Sequence, residues 1–115
     1  MGMRSNFITC KLPMDIIAIY VTHTNQQNAE KISDHLFRKK LISSVNSFPI
    51  QNTYVSNGKL EKAEEIVTIY KTKPQNRTLI KDAIKAIHPY DIPCIMKINC
   101  EVNHGYGNRV VESVI

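Results

Sequence analysis

Two runs of β-branched and aromatic residues stand fifty positions apart, IIAIY at Ile16 to Tyr20 and IVTIY at Ile66 to Tyr70. Their length and composition predict strands. A helical pattern follows each. Ala29, Ile32, Leu36 and Phe37 recur at three-four spacing with Lys31, Asp34 and Lys39 opposite, which predicts a helix from about Gln26 to Lys40. Leu79, Ala83, Ile84 and Ile87 make a second stripe from about Pro74, and Pro89 forbids its continuation past His88. Thr24 to Gln27 and Thr72 to Gln75 share the Thr-x-x-Gln form that can cap a first helical turn. A further strand is expected after each helix, near Ile42 to Ile50 and Ile92 to Ile98, so one strand-helix-strand unit maps onto the other.

Two such units joined by right-handed crossovers place both helices on one face of one sheet, giving an α+β, ferredoxin-like double βαβ sandwich. Between the units, Asn57-Gly58 favours the positive φ angles of a type I′ hairpin. Pairing from Ser43 to Leu60 and on to Lys71 would give arms longer than the usual strand of ~5 or 6 residues. Their polar outer parts, with Asn52, Thr53, Lys59, Glu61 and Lys62, would project past the helices. A projecting edge invites pairing with another chain, which predicts an oligomer built through this hairpin. Residues 1–14 are expected to form a tail, and residues 15–115 a single domain.

Composition narrows the class. A chain of 115 residues with 43% hydrophobic content fills one core without disulfides or a cofactor. Cys10, Cys94 and Cys100 are an odd number with no Cys-x-x-Cys pair, which points to a reducing compartment and so to the cytoplasm. The net charge of +5 is spread as +3 over residues 1–57 and +2 over residues 58–115, so there is no basic arm. The apolar run Ile16 to Val21 is far shorter than the ~20 residues of a membrane span, and no membrane association is expected.

Few residues suggest chemistry. His88 closes a helix, where carbonyl ends favour a cation, and imidazole is a common copper or zinc ligand; a plain helix cap is the structural alternative. Cys94 lies six residues further on, and a thiolate with an imidazole suits Cu(I) or Zn(II). Strand alternation would group Cys94 with Met96 and Ile98 on one face, and the residues by themselves favour reading it as a small buried hydrophobe. Asp34, His35, Ser43 and Ser44 lack the Gly-x-Ser-x-Gly elbow of a hydrolase. Asn103 to Gly107 reads as a loop by its glycines, without a P-loop Lys-Ser/Thr. The RNA-recognition fold shares this topology, but the third strand carries Glu64-Glu65-Ile66-Val67 where such a domain needs a basic and aromatic run, so nucleic acid is not an expected partner.

Ala29-Glu30-Lys31-Ile32, Val45-Asn46, Gly58-Lys59, Glu65-Ile66 through Lys71-Thr72, and above all His88-Pro89-Tyr90-Asp91-Ile92-Pro93 together resemble the CutA divalent-cation tolerance family from about Ile16 to Val111. The resemblance implies a non-enzymatic homotrimer assembled by the hairpin strands and a link to copper or another divalent cation. Of that family's copper ligands only His88 is matched, and Cys94 stands where its signature carries Glu. Inter-subunit clefts similar to those of PII-like signalling proteins are also implied. Tyr54, Lys71 and Tyr90 would then surround a small anionic ligand whose state is passed to a protein partner. That is the alternative function.

Overall fold

The computed structural model describes residues 12–115, so residues 1–11 of the expected tail lie outside the described residues. Leu12 and Pro13 lead into β1 (Met14–His23), followed by α1 (Gln26–Arg38), β2 (Ser44–Ser56), β3 (Lys59–Thr72), α2 (Arg77–Ile87), β4 (Ile95–Val102) and α3 (His104–Glu112); one 3-10 turn, Pro74–Asn76, precedes α2. The sheet order is β2-β3-β1-β4, with every neighbouring pair antiparallel. This is the ferredoxin-like double βαβ arrangement.

Alternation along β1 divides the interior in two. Ile17, Ile19 and Val21 point toward the helices and pack with Ile32 and Leu36 of α1 and Ile80 and Ile84 of α2. Met14, Ile16 and Ala18 point to the other face, which α3 covers at one end: Gly107 lies against Met14 and Val102, and Val110 is fully buried. The expected loop at Asn103 to Gly107 is thus the start of a helix. Gly107 serves close approach rather than a turn, because a Cβ there would stand 2.7 Å from Met14 Cβ.

Other expectations shift for local reasons. The cap of α1 is Asn25, whose side chain accepts from the Asn28 amide at 2.8 Å, and not Thr24. Thr72 also caps nothing; its hydroxyl donates to the Leu41 carbonyl at 2.6 Å. At the far end of α1, the Leu41 amide bonds Leu36 O and the Lys40 amide bonds Phe37 O, with Lys40 at φ +57°, a Schellman closure that stops the helix at Arg38. Phe37 and Leu79 stand exposed at the edges of their stripes, while Ile80 takes the buried place on α2. The fourth strand starts at Ile95, since the two prolines at 89 and 93 keep the preceding segment out of the ladder.

The hairpin forms as predicted. Ser56 pairs with Lys59 across Asn57 and Gly58, both at positive φ, and the ladder runs back to Ser44 and Lys71. β1 joins β3 only from Ile66 onward, so residues 50–65 form a two-stranded ribbon beyond the body of the domain. The ribbon lengthens the molecule to 65 Å and raises the radius of gyration to 17.3 Å, against ~13 Å for a compact chain of this size.

Candidate functional site

Polar side chains gather where β1 ends, where the ribbon leaves the sheet and where the segment after α2 returns. His23 is the last residue of β1. Alternation from Val21 turns it toward the helices, where it is fully buried and its Nε2 lies 2.7 Å from Thr68 Oγ1. Its Nδ1 has no partner among the described residues. Burial first, and then the neighbouring His88, lower its pKa to about 4, with Glu65 opposing. Below Thr68 the polar row continues: Tyr70 Oη lies 3.0 Å from Ser33 Oγ, and Ser33 donates to the Ala29 carbonyl at 2.8 Å.

His88 closes α2 with its backbone amide on the Ile84 carbonyl at 2.9 Å. Its ring is buried between two others, with centroids 5.5 Å from His23 and 4.7 Å from Tyr90. Nε2 lies 2.9 Å from the Thr22 carbonyl, and Nδ1 accepts the Tyr90 amide at 3.1 Å. Tyr90 then donates from its hydroxyl to Glu65 Oε2 at 2.5 Å, and Asn52 donates to Oε1 at 2.9 Å. Glu65 is only 9% exposed, so a carboxylate is held almost out of water by two neutral donors. Partial burial and then the hydrogen bond to Glu65 push the Tyr90 phenol above its usual range.

Glu65 also lines an open groove of ≈ 520 Å³ between the base of the ribbon and the first residues of α1, with Gln26, Gln51 and Glu64 among its walls. Cys94 is exposed, not buried as strand alternation suggested, because it precedes β4 and is not part of its ladder. Loss of hydration and then the charge of Glu65 raise its thiol pKa, so it rests as a thiol.

The predicted residues are therefore only partly brought together. His88, Tyr90 and Cys94 share this end of the molecule with Glu65, and Tyr54 stands half-exposed on the ribbon. Lys71 lies six residues from Glu65 along β3, a rise of ~20 Å, and is bonded to Asn46. It does not face Tyr54 and Tyr90 across a cleft within one protomer. Among the described residues, no group of three or more His, Cys, Asp and Glu side chains is placed to hold a metal ion. His23, Thr68, Asn52 and Glu65 were not foreseen. The alternation that sets Ile17, Ile19 and Val21 inward carries His23 inward as well, and that was the available signal.

Residues 17–113 match the family of the CutA1 divalent ion tolerance protein. The divalent-cation tolerance protein CutA of Archaeoglobus fulgidus is 40% identical over 83 residues, covering 72% of this chain and 81% of that protein. Its counterpart from Pyrococcus horikoshii is 33% identical over 98 residues, covering 84% and 96%. Among solved structures, an A. fulgidus CutA described as periplasmic superposes with a TM-score of 0.83 at 35% identity, over 89% of this chain and all of that one. CutA1 from Oryza sativa gives 0.84 at 26% identity, over 90% and 96%. With its fold and nearly its whole length matched, the chain belongs to the CutA1 divalent ion tolerance family.

Proposed function

We propose that this chain acts as a homotrimer in tolerance of divalent cations, without catalysing a reaction, and that it takes copper or another divalent cation at the Glu65 pocket beside Cys94. The observation that carries this reading is the Glu65 carboxylate, nearly buried yet bonded, among the described residues, only by the neutral Tyr90 and Asn52. A carboxylate so placed favours a cation, and the Cys94 thiol, which feels the charge of Glu65, supplies a soft donor once its proton is lost. Two donors are fewer than the four of a closed site, so water or a neighbouring protomer completes the set. An anionic ligand in the same groove would instead meet Glu64 and Glu65.

The trimer is supported by the sheet. Opposite the helices, Phe48, Met96 and Ile98 are each more than 40% exposed beyond the end that α3 covers, and Val55 and Leu60 stand open on the ribbon. An apolar strand surface of this kind, continued by a ribbon with free edges, fits burial against copies of itself. The cytoplasm is the proposed location, supported by the two free thiols, Cys94 and Cys100, among the described residues. No helix of the described residues is long and apolar enough to cross a membrane.

Light scattering of the purified protein should give ~39 kDa, three times 13.1 kDa. Titration with Cu(I), Cu(II) and Zn(II) should show saturable binding that Cys94→Ala and Glu65→Gln each weaken by about tenfold or more. A monomer, or affinities indifferent to both substitutions, would refute the corresponding half of the proposal.

A further inference from the structure

We propose that His88 is a positioning residue and not a metal ligand: it fixes Tyr90 so that the phenol meets Glu65, and through that contact it sets how strongly the Glu65 pocket holds a cation. This deepens the proposed cation reading and rests on it only for the affinity measurements below.

The chemistry of its two partners dictates the state of the ring. The Thr22 carbonyl can only accept, so the proton sits on Nε2, 2.9 Å away. The Tyr90 amide can only donate, so Nδ1 is unprotonated and its lone pair is taken at 3.1 Å. No lone pair remains for a metal, and freeing either nitrogen would break one of these bonds.

The ring has little room to turn. It is 8% exposed, stacked on His23 at 23° between planes and flanked by the Tyr90 ring at 56°. Its own backbone is fixed by the amide bond to Ile84 and by Pro89 after it. The rigid end of α2 therefore holds the Tyr90 peptide, Tyr90 holds Glu65 Oε2, and Glu65 Oε1 holds Asn52 of the ribbon. Such indirect partners orient and tune a binding group without touching the ion.

The test labels the histidines of the full chain with nitrogen-15 and reads long-range proton–nitrogen correlations near neutral pH, first without metal and then with Zn(II). The expected result is an Nε2–H tautomer for His88 in both states. His88→Ala and Tyr90→Phe should each weaken Zn(II) binding by about tenfold, and the double variant no more than either alone. His88→Asn, whose amide oxygen can take the Tyr90 amide, should lose at most about threefold. A Zn(II)-dependent shift of a His88 nitrogen to metal-bound values overturns the proposal. So does loss of binding in His88→Ala with none in Tyr90→Phe. If the wild type binds no cation, the cation reading falls, and the positioning role is then judged by the tautomer and by the Tyr90 ring resonances. Those resonances must move in His88→Ala, and unchanged ones overturn it.

Discussion

The imidazoles of His23 and His88 stack with centroids 5.5 Å apart, and His23 keeps a buried Nδ1 that has no partner among the described residues. A proton on either ring would place a cation against the other in a site closed to water.

Stability should follow the titration of His23. Its folded pKa, near 4, lies below the ordinary 6.5, so between those values the unfolded chain binds a proton that the folded chain refuses. The stabilisation is complete above about pH 6.5 and is lost as pH falls toward 4, by about 3 kcal/mol from this group. Urea unfolding at intervals from pH 7.5 to 4 measures the slope. His23→Gln should flatten it, and an identical slope in that variant would remove His23 as the cause.

Lys40 closes α1 at φ +57°, a region where a side chain is disfavoured and glycine is free. The Schellman bonds of Leu41 and Lys40 hold the geometry in place, so Lys40→Gly relieves strain without changing contacts. It should stabilise the protein by about 0.5–1 kcal/mol, read as a higher urea midpoint. A lower midpoint would show that the lysine itself contributes at this helix end.

Gly105 and Gly107, two residues apart in α3, should answer oppositely to alanine. At Gly105 nothing lies within 4 Å of the added methyl, and helix propensity favours Ala by up to ~1 kcal/mol. At Gly107 the methyl would meet Met14 Cβ at 2.7 Å and Val102 Cγ2 at 3.2 Å, so α3 must lift from the sheet at a cost of ~1–3 kcal/mol. Thermal melts of the two variants decide it; equal shifts would contradict the packing of α3 described above.

What the sequence disclosed follows from how local each cause is. The hairpin was legible because Asn57-Gly58 dictates its own turn and Ser56 and Lys59 pair across it. α3 was not, because Gly105 and Gly107 read locally as loop residues, and only the approach of Gly107 to Met14, more than ninety positions away, explains a glycine there. The candidate site failed for the same reason. His88 could be singled out from its place before Pro89, but its two hydrogen bonds depend on Thr22 and on the turn to Tyr90, which no spacing reveals. Glu65 looked like one of several acids at a strand entrance until Tyr90 and Asn52 closed over it.

The buried pair behind the site, Ser33 and Tyr70, should behave as one unit. Tyr70 is fully buried, and since Ser33 gives its hydrogen to the Ala29 carbonyl, the Tyr70 hydroxyl must donate to Ser33 Oγ. Burial raises the Tyr70 pKa, with Ser33 and Thr68 opposing, so the phenol stays protonated and able to donate. Tyr70→Phe removes that donor and leaves Ser33 Oγ short of one bond, at a cost of ~1–2 kcal/mol. Ser33→Ala removes the acceptor and strands the phenol, with a similar cost. The double variant leaves neither group unsatisfied, so its loss should fall short of the sum of the single losses by about 1 kcal/mol. Urea unfolding of the four proteins gives the coupling directly. A coupling of zero would mean that α1 and β3 are joined here by apolar contact alone.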